Sequence, residues 1–418
     1  MQISNYLARR EAPHSAISTL IFFGCATALL TAPFGGSFGR NVFYITSYIA
    51  FITLATHALY YAKLRINIAL PVAMLLVGIA SIIWTAVYKQ PGDFISLYRQ
   101  YQSTGRLQIS GALILFFVLN DKSDLRRKAI LAALLTGLAV NAYAIYQGVW
   151  LHLRRVELNF DRATMAAYII SAVNLLFLKA ILLQKNKLKL FLFPAAFLFS
   201  YLAIILTGTR AAMLLFPVMA LILVLFSKNV ISRRYKIALF VIIPALFIAG
   251  SLIFKEKIAN RIDEFQQNIA DMHKNRGENS VVSRLSMQII ALQTGIESPA
   301  GQSAEQRALL ARKIIQQQPQ LYGALPYLTV HMHNEVLETF SIKGIAGALA
   351  LVNFYIMLLV YAFRRGGNAL LLTLALALIG YGLSDVIFFS TECTLIYCLT
   401  IIFAFSMMKG PHHQEKNQ

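Results

Sequence analysis

The sequence NIALPVAMLLVGIASIIWTAVY, residues 67–88, contains no charged side chain. It lies between Arg65 and Lys89 and is long enough to cross the hydrocarbon core of a bilayer, which requires about 20 mostly apolar residues in a helix. A backbone surrounded by lipid has to satisfy its own hydrogen bonds, so such a stretch predicts a helix. A strand of a membrane barrel would be shorter and would alternate apolar and polar side chains.

Similar apolar stretches recur along the chain and predict an all-α polytopic membrane protein with about twelve spans. The composition agrees, because 58% of the 418 residues are hydrophobic and only 13% are charged, about half the charged share of a soluble domain. The first stretch follows Arg9 and Arg10 but lacks a small-residue cleavage site, so we interpret it as a retained span. The predicted spans are 17–33, 42–61, 67–88, 107–120, 129–150, 164–184, 190–207, 211–227, 237–254, 342–363, 369–388 and 391–408.

One long polar gap divides the chain into three parts. Residues 1–254 hold spans 1–9, residues 255–333 form a helical loop or cap, and residues 334–418 hold spans 10–12 and a tail. In the gap, Ser303 and Gln306 form a capping box that predicts a helix through about Gln318. An earlier amphipathic stretch has helical spacing of its apolar residues Ile258, Ile262, Phe265, Ile269 and Met272.

Lysine and arginine are concentrated in every second gap and at both termini. Positive charge marks cytoplasmic loops, so both termini are predicted to be cytoplasmic. These segments hold half of the 38 basic residues and account for much of the net charge of +20, and no nucleic-acid motif accompanies them. The residues are Arg9, Arg10, Lys63, Arg65, Lys122, Arg126, Arg127, Lys128, Lys185, Lys187, Lys189, Lys228, Arg233, Arg234, Lys236, Arg364, Arg365, Lys409 and Lys416.

The opposite gaps should be poor in basic residues, yet the four that follow spans 3, 5, 7 and 9 hold eleven arginines and five lysines. Guanidinium groups bind phosphate through paired planar donors. An arginine-rich outer surface therefore indicates an anionic lipid or diphosphate partner, with an ordinary solvated loop as the alternative. The residues are Lys89, Arg99, Arg106, Arg154, Arg155, Arg162, Arg210, Lys255, Lys257, Arg261, Lys274, Arg276, Arg284, Arg307, Arg312 and Lys313.

Arg210 follows the turn Thr207-Gly208-Thr209 between two apolar runs with almost no loop. An arginine so close to hydrocarbon is costly unless it is paired or reaches the interface, and such residues are functional candidates. The hydroxyls and backbone of the turn are placed to join Arg210 around a phosphate. A structural arginine at the membrane interface is the alternative.

His331 and His333 close the long gap and precede the tenth span. Histidine suits proton transfer near neutral pH. The two rings would face apart on a helix and could share a side in an extended segment, so a metal pair is weakly indicated. The sequence leaves open which carboxylate assists them; the candidates are Glu335, Glu338, Asp385 and Glu392.

His333-Asn334, nine residues and then Gly344-Ile345-Ala346-Gly347 resemble a motif of the lipopolysaccharide O-antigen ligases of Gram-negative bacteria. That motif is His followed by Asn, Ser or Gln, nine residues, then Gly-x-x-Gly or similar. The family's arginine at the end of a threonine-rich turn resembles Arg210. Its loop arginines resemble Arg284 and, less closely, Arg261. The resemblance covers essentially the whole chain and is nearest to the enterobacterial ligases.

The resemblance implies transfer of an O-antigen polysaccharide from undecaprenyl diphosphate to a sugar hydroxyl of the lipid A–core oligosaccharide. It places this reaction at the periplasmic face of the inner membrane, beneath the large helical loop, with no metal or other cofactor and with inversion at the anomeric carbon. Its implied catalytic residues are His333 as general base and Arg210 and Arg284 at the diphosphate. We expect five further substrate-binding residues, namely Arg162, Thr209, Arg261, His331 and Asn334.

Two other functions remain open at this point. One is an O-antigen polymerase, a transferase of the same superfamily with similar topology. The other is a flippase or transporter of polyprenyl-linked sugars, in which the arginines would bind diphosphate without bond cleavage. Membrane lipids are expected partners in every case, and the sequence does not predict an oligomeric state.

Overall fold

The computed structural model describes residues 11–63, 67–160, 162–185, 188–228, 230–253, 280–364 and 367–408, and every regular element within these ranges is helical. Arg261 and the predicted amphipathic stretch lie outside the described residues. The helices of the described part are α1 (Ser15–Thr31), α2 (Phe38–Thr56), α3 (Ala58–Lys63), α4 (Ala69–Tyr88), α5 (Ile95–Asn120), α6 (Arg126–Ile145), α7 (Ala163–Leu182), α8 (Lys189–Leu206), α9 (Arg210–Phe226), α10 (Arg233–Ile253), α11 (Ser280–Glu297), α12 (Ala304–Gln317), α13 (Glu335–Phe363), α14 (Ala369–Gly382) and α15 (Thr391–Ser406).

Each predicted apolar stretch falls on a helix, although not every helix is long enough to be scored as a span. Six are long and apolar enough to cross a membrane, namely α1, α4, α6, α7, α8 and α13, whereas α9, α14 and α15 are apolar but shorter. Several boundaries differ from the prediction. The tenth span, predicted to begin at 342, belongs to α13, which begins at Glu335. The helix predicted at 107–120 already begins at Ile95, because Tyr98 and Tyr101 bury one face of a more polar first half. The span predicted to end at 388 ends at Gly382, where the chain turns into a loop.

Helix α7 is the centre of the bundle, because its entire apolar length is buried by other helices. A helix that is apolar all round is stable in that position. Asn174 of α7 and Asn141 of α6 exchange two hydrogen bonds of 2.7 and 2.8 Å. Tyr381 of α14 donates to Ser171 of α7 at 3.0 Å. Such polar pairs fix the helices relative to one another in apolar surroundings.

The two ends of the bundle differ in charge. At one end the start of α1 meets the end of α5, where Ser18 donates to Asp121 at 2.9 Å. The predicted basic gaps lie at this end; Lys189, for example, donates to the Val230 carbonyl at 3.0 Å. We call it the basic end. The opposite end, which carries residues 280–334, is called the cap end.

The cap consists of α11, α12 and a 3-10 segment, Pro319–Tyr327, which enclose a small apolar core of their own. The helix predicted to begin at Ser303 is confirmed as α12, and the Ser303 side chain caps it by accepting a hydrogen bond from the Gln306 backbone at 3.0 Å. The indole of Trp84 in α4 donates to the Gln302 carbonyl at 2.8 Å. The cap is therefore anchored on the bundle by buried polar contacts as well as by apolar packing.

Helix α13 is broken at Gly344, whose φ is 68° and ψ is −166°. The break leaves the carbonyls of Ser341 and Ile342 without helical donors, and Gln302 supplies both through its side chain at 2.7 Å and its backbone at 3.0 Å. A Cβ on residue 344 would overlap the Pro299 carbonyl oxygen, so both conformation and space require glycine. Gly344, the first glycine of the Gly-x-x-Gly part of the motif, is thus a backbone joint between the cap and the bundle.

Candidate active site

A short loop between the cap and α13 carries the two histidines. His333 has φ of 48°, a left-handed conformation that is uncommon for a residue with a side chain. Asn334 caps α13, because its side-chain oxygen accepts from the Leu337 backbone at 3.0 Å. The Met332 backbone donates to Glu338 at 2.9 Å. The first turn of α13 therefore fixes the path of the loop and the direction of both rings.

Both imidazole rings face one carboxylate, that of Asp385. The distance from Oδ1 of Asp385 is 3.4 Å to Nδ1 of His333 and 3.6 Å to Nε2 of His331. Nδ1 of His333 has no hydrogen-bond partner of good geometry among the described residues, which leaves the carboxylate as its nearest polar neighbour. The side chain of His333 is 18% exposed, against 0% for His331 and 2% for Asp385. Of the three groups, His333 is the one that a substrate can reach.

The loop that carries Asp385 is held in place by α13 and α11. The Glu335 carboxylate accepts hydrogen bonds from the backbone of Ile387 and, at 3.1 Å, of Phe388. The Leu383 carbonyl accepts from Gln288 of α11 at 3.3 Å. Glu335 is thus bound to backbone donors, and Asp385 is the carboxylate presented to the histidines.

The charges of Asp385 and His331 are set by their surroundings. Burial by itself raises the pKa of Asp385, but the contact with His333 and the electrostatic interactions with the two imidazole rings lower it to about 2. Burial lowers the pKa of His331 to about 4; Asp385 opposes this shift and His333 adds to it. Near neutral pH, Asp385 is therefore an anion and His331 a neutral ring.

Arg162 contacts His331 directly. Its Nη1 donates to Nε2 of His331 at 3.0 Å. A guanidinium group has donors only, so Nε2 accepts this bond. The guanidinium also lies 5.9 Å from the ring centroid of Phe389, in the loop that follows Asp385. Arg162 is thus held between the two loops of the site.

Two helix N-termini meet beside Arg162. This residue precedes α7, and Arg210 is the first residue of α9. The Thr209 hydroxyl joins them, because it donates to the Ala163 carbonyl at 3.4 Å. Neither helix has a side-chain cap on its first turn. The N-termini of two helices, each with an arginine at or just before its first residue, therefore lie side by side, and the positive end of a helix favours an anion.

Arg155 supports this position from the preceding loop. Its Nε donates to the Thr207 carbonyl at 2.8 Å and its Nη2 to the Thr209 hydroxyl at 3.2 Å. The turn itself contains Gly208 with φ of 65°, as the Thr-Gly-Thr sequence predicts. The hydroxyl of Thr209 is therefore engaged within the protein on both sides, and Arg155 is part of the support of the turn.

Helix α11 brings Arg284 to the same side of the cap. Gln288, one turn further along, donates to the His333 carbonyl at 3.2 Å. Residues four apart lie on one face of a helix, so Arg284 faces the same region. Its side chain is partly exposed and lies within electrostatic range of the Tyr168 hydroxyl on α7. Arg284 is thus placed on the side of the cap that faces the start of α7.

A buried ion pair lies beneath the histidines. Arg307 of α12 donates to Oε2 of Glu338 at 2.7 Å, and both side chains are fully buried. Tyr101 of α5 donates to Oε1 of Glu338 at 3.0 Å. The Glu338 carboxylate thereby joins the cap, the bundle and the backbone of the histidine loop. Its role in the site is to position that loop.

The residues around Asp385 are also of the types that ligate metals. One ligand atom each of His331, His333 and Asp385 lies within 4.8 Å of the others. However, a guanidinium 3.0 Å from Nε2 of His331 occupies that nitrogen's lone pair and would repel a cation. The arrangement fits proton handling by His333 better than it fits a metal ion.

The structure brings together His331, His333, Asn334 and Arg162, and it places Arg210 next to them through Thr209 and Ala163. Three supporting residues escaped the sequence reasoning in these roles: Arg155, Gln288 and Arg307. The sequence identified Arg155 and Arg307 only as basic residues of the outer gaps, and nothing in it pointed to Gln288. The choice of Asp385 among four carboxylates required the tertiary structure.

Comparison with known proteins agrees with the resemblance. Residues 195–352 match the family model described as O-Antigen ligase. The O-antigen ligase of Escherichia coli (strain K12) is 28% identical over 398 residues, which cover 92% of this chain and 92% of the relative. The matched segment contains Arg210, Arg284, His333 and Gly344. The predicted resemblance is confirmed.

Proposed function

We propose that this chain, which carries an O-antigen ligase domain and resembles a whole O-antigen ligase, transfers O-antigen polysaccharide from undecaprenyl diphosphate to the lipid A–core oligosaccharide. The observation that carries the proposal is the partly exposed His333 backed by the buried Asp385 anion. This is a base with an orienting carboxylate, placed beside a cluster of arginines.

His333 acts as the general base on the acceptor. Asp385 holds Nδ1, so Nε2 takes the proton from the acceptor hydroxyl as its oxygen bonds to the anomeric carbon of the donor. The carboxylate stabilises the imidazolium that results, as an anion next to a forming cation does. The proton then leaves to solvent and restores the base.

The arginines act on the leaving group. As the new glycosidic bond forms, the bond from the anomeric carbon to the diphosphate oxygen breaks, and undecaprenyl diphosphate departs with the electron pair. Arg210, Arg284 and Arg162 bind this diphosphate together with the first turns of α7 and α9. Attack from the side opposite the leaving group inverts the anomeric centre. Charge stabilisation by guanidinium groups makes a metal ion unnecessary.

The remaining predicted substrate residues divide into two groups. Thr209, His331 and Asn334 have polar atoms engaged by protein neighbours, so we assign them the shaping of the substrate site. Arg261, which lies outside the described residues, is proposed as a further contact to the diphosphate.

The sidedness follows from the charge of the two ends. The basic end is proposed to face the cytoplasm, with both termini, and the cap end to face the periplasm. Donor and acceptor are both lipid-anchored, so a site at the membrane surface under the cap lets them meet in a fixed orientation. This arrangement corresponds to the inner membrane of a Gram-negative bacterium.

A strain without this gene tests the proposal directly. Its lipopolysaccharide should be core without O-antigen, while polymerised O-antigen accumulates on its lipid carrier. Complementation with the wild-type gene should restore capping, whereas His333→Ala and Arg210→Ala should not, at equal membrane levels of protein. Arg210→Lys should remain strongly impaired, because a lysine lacks the paired planar donors.

The same gel separates the alternatives. Core bearing a single O-antigen repeat in the deletion strain would identify a polymerase and overturn the assignment of His333 as base for a core hydroxyl. Normal capping by His333→Gln would favour a transporter, which needs no base. Full activity of Arg210→Lys would show that only the positive charge of Arg210 is needed and that its paired donors are not.

A further inference from the structure

A second group of cations lies at the cap end but away from the histidines. Arg99 and Arg106 are exposed on one face of α5, opposite the face on which Tyr101 binds Glu338. Arg40 near the start of α2 joins them, since Arg40 and Arg106 both act electrostatically on the hydroxyl of Tyr44. We call Arg40, Arg99 and Arg106 the α2–α5 arginines. The proposed transfer chemistry uses none of them.

The α2–α5 arginines have no counter-charge in the part of the chain that the structure describes. None of them forms an ion pair or a hydrogen bond there. Lys89 is nearby and donates to Gln102 of α5 at 2.8 Å, and the sole acidic residue between it and Arg106 is the exposed Asp93. Three unpaired guanidinium groups on one surface form a site for a multiply charged anion.

The surface beside these arginines is apolar. One side of α2 exposes large hydrophobic side chains over its whole length, and the tyrosines beside Arg40 resemble the aromatic belt at a membrane interface. An amphiphile whose anionic headgroup met these arginines would therefore have an apolar surface along α2 for its acyl chains. The exposed residues are Phe38 (61%), Ile45 (59%), Tyr48 (64%), Phe51 (55%) and Ile52 (59%).

Hydrogen bonds made by α5 link this surface to the start of α15. The Tyr44 hydroxyl donates to the Ser103 carbonyl of α5 at 3.5 Å. Thr391, the first residue of α15, donates its hydroxyl to Gln100 of α5 at 3.0 Å. Thr391 directly follows the loop that carries Asp385. The α2–α5 arginines thus flank the site on the side of the Asp385 loop, at the level where lipid headgroups are expected.

We propose that Arg40, Arg99 and Arg106 bind the phosphate groups of a phosphorylated glycolipid, the acceptor of the transfer reaction. The inference rests on the proposed function and adds a second anion site to it. Two phosphate-bearing lipids react, so each needs its own cationic surface: the donor diphosphate lies with Arg162, Arg210 and Arg284, and the acceptor phosphates lie on the α2–α5 arginines. The acceptor glycan then extends across the Asp385 loop to His333.

The test measures transfer by the purified protein in vesicles, with lipid A–core as the varied substrate. Arg99→Gln/Arg106→Gln should raise KM for the acceptor about tenfold and leave kcat and the KM for the donor unchanged. The difference should vanish when the acceptor has been enzymatically dephosphorylated. The matched control is Arg233→Gln/Arg234→Gln, two exposed arginines at the basic end, which should leave acceptor KM at the wild-type value.

Three outcomes would overturn the inference. One is an unchanged acceptor KM in Arg99→Gln/Arg106→Gln. Another is a rise that persists with the dephosphorylated acceptor. The third is a rise seen with phosphatidylglycerol in the vesicles but absent in phosphatidylcholine alone, which would assign the arginines to bulk anionic lipid. If the wild type transfers nothing, the proposed function fails, and direct binding of lipid A–core to wild type and variant by native mass spectrometry still decides the inference.

Discussion

Arg307 of α12 and Glu338 of α13 form a 2.7 Å ion pair in which both side chains are fully buried. Two further nitrogens of Arg307, Nε and Nη2, have no partner among the described residues. The pair is therefore sensitive to the loss of either member, because the remaining charge would be buried without compensation. It also lies directly under the histidine loop through the Met332 backbone.

Removal of one member should destabilise the protein more than removal of both. We expect Arg307→Met and Glu338→Leu each to cost about 3–5 kcal/mol of unfolding free energy, and the double variant Arg307→Met/Glu338→Leu to cost less than either single variant. Thermal unfolding in detergent, converted to free energy within one series, measures this. Additive losses in the double variant would show that the two side chains do not act as a pair.

Asp385→Asn should slow transfer while substrate binding is kept. The amide has nearly the shape of the carboxylate, but it lacks the negative charge that stabilises the imidazolium and has only one acceptor oxygen. We therefore expect kcat to fall about 10²- to 10⁴-fold with KM little changed. Initial rates at varied donor and acceptor concentrations give both constants.

The control for Asp385 is Glu392→Gln, the same chemical change on the neighbouring helix. Glu392 makes a single long contact of 3.4 Å to Ser390, so its rate should stay within a factor of about two of wild type. A comparable loss of kcat in both variants would mean that Asp385 acts through the general charge of the site and does not orient His333.

Gly344→Ala should loosen the cap. The new methyl group meets the Pro299 carbonyl, and the left-handed backbone adds about 1 kcal/mol of strain or more. Gly36→Ala is the matched control, since Gly36 has φ of 82° but nothing within 4 Å of its Cβ position. We expect faster proteolysis of residues 298–334 and a larger drop in melting temperature for Gly344→Ala. Equal effects in the two variants would leave only backbone strain as the cause.

His331 should make the protein less stable in mild acid. Its pKa is lowered from 6.5 to about 4 on folding, so the unfolded chain binds a proton that the folded chain refuses. Its effect is absent above about pH 7, and stability is lost as the pH falls from about 6.5 towards 4. At pH 5 the loss amounts to about 2 kcal/mol. Melting curves at pH 7.5 and 5 should therefore differ less for His331→Gln than for wild type; an identical difference would contradict a buried neutral His331.

The sequence predicted the helices well because lipid leaves a hydrophobic backbone few other options. Residues 67–88 became α4 almost residue for residue. The start of α5 was missed because Tyr98 and Tyr101 are buried against the cap and against Glu338, and hydropathy does not register contacts of that kind. The break at Gly344 lies two residues after 342, the predicted start of the tenth span, because the apolar run begins near it.

The candidate site divides in the same way. Spacing identified His333 and Gly344, because both belong to one continuous segment. The choice of Asp385 depends on how the loop after α14 is bound by Glu335, which no local pattern encodes. Gln288 was likewise beyond prediction, since a single glutamine on an amphipathic helix has no signal until its acceptor, the His333 carbonyl, is known.

The break in α13 has a consequence for how the chain can vary. Between Asn334 and Gly344 lie nine helical residues, a rigid spacer of about 13 Å. Inserting or deleting one of them would rotate His333 by about 100° around the helix axis and carry it away from Asp385, which is attached through a different helix. Side chains along the spacer can change wherever they make no contact, but the number of residues in the spacer cannot change. The structure therefore constrains the length of this segment more than its side chains, as register is constrained in a coiled coil.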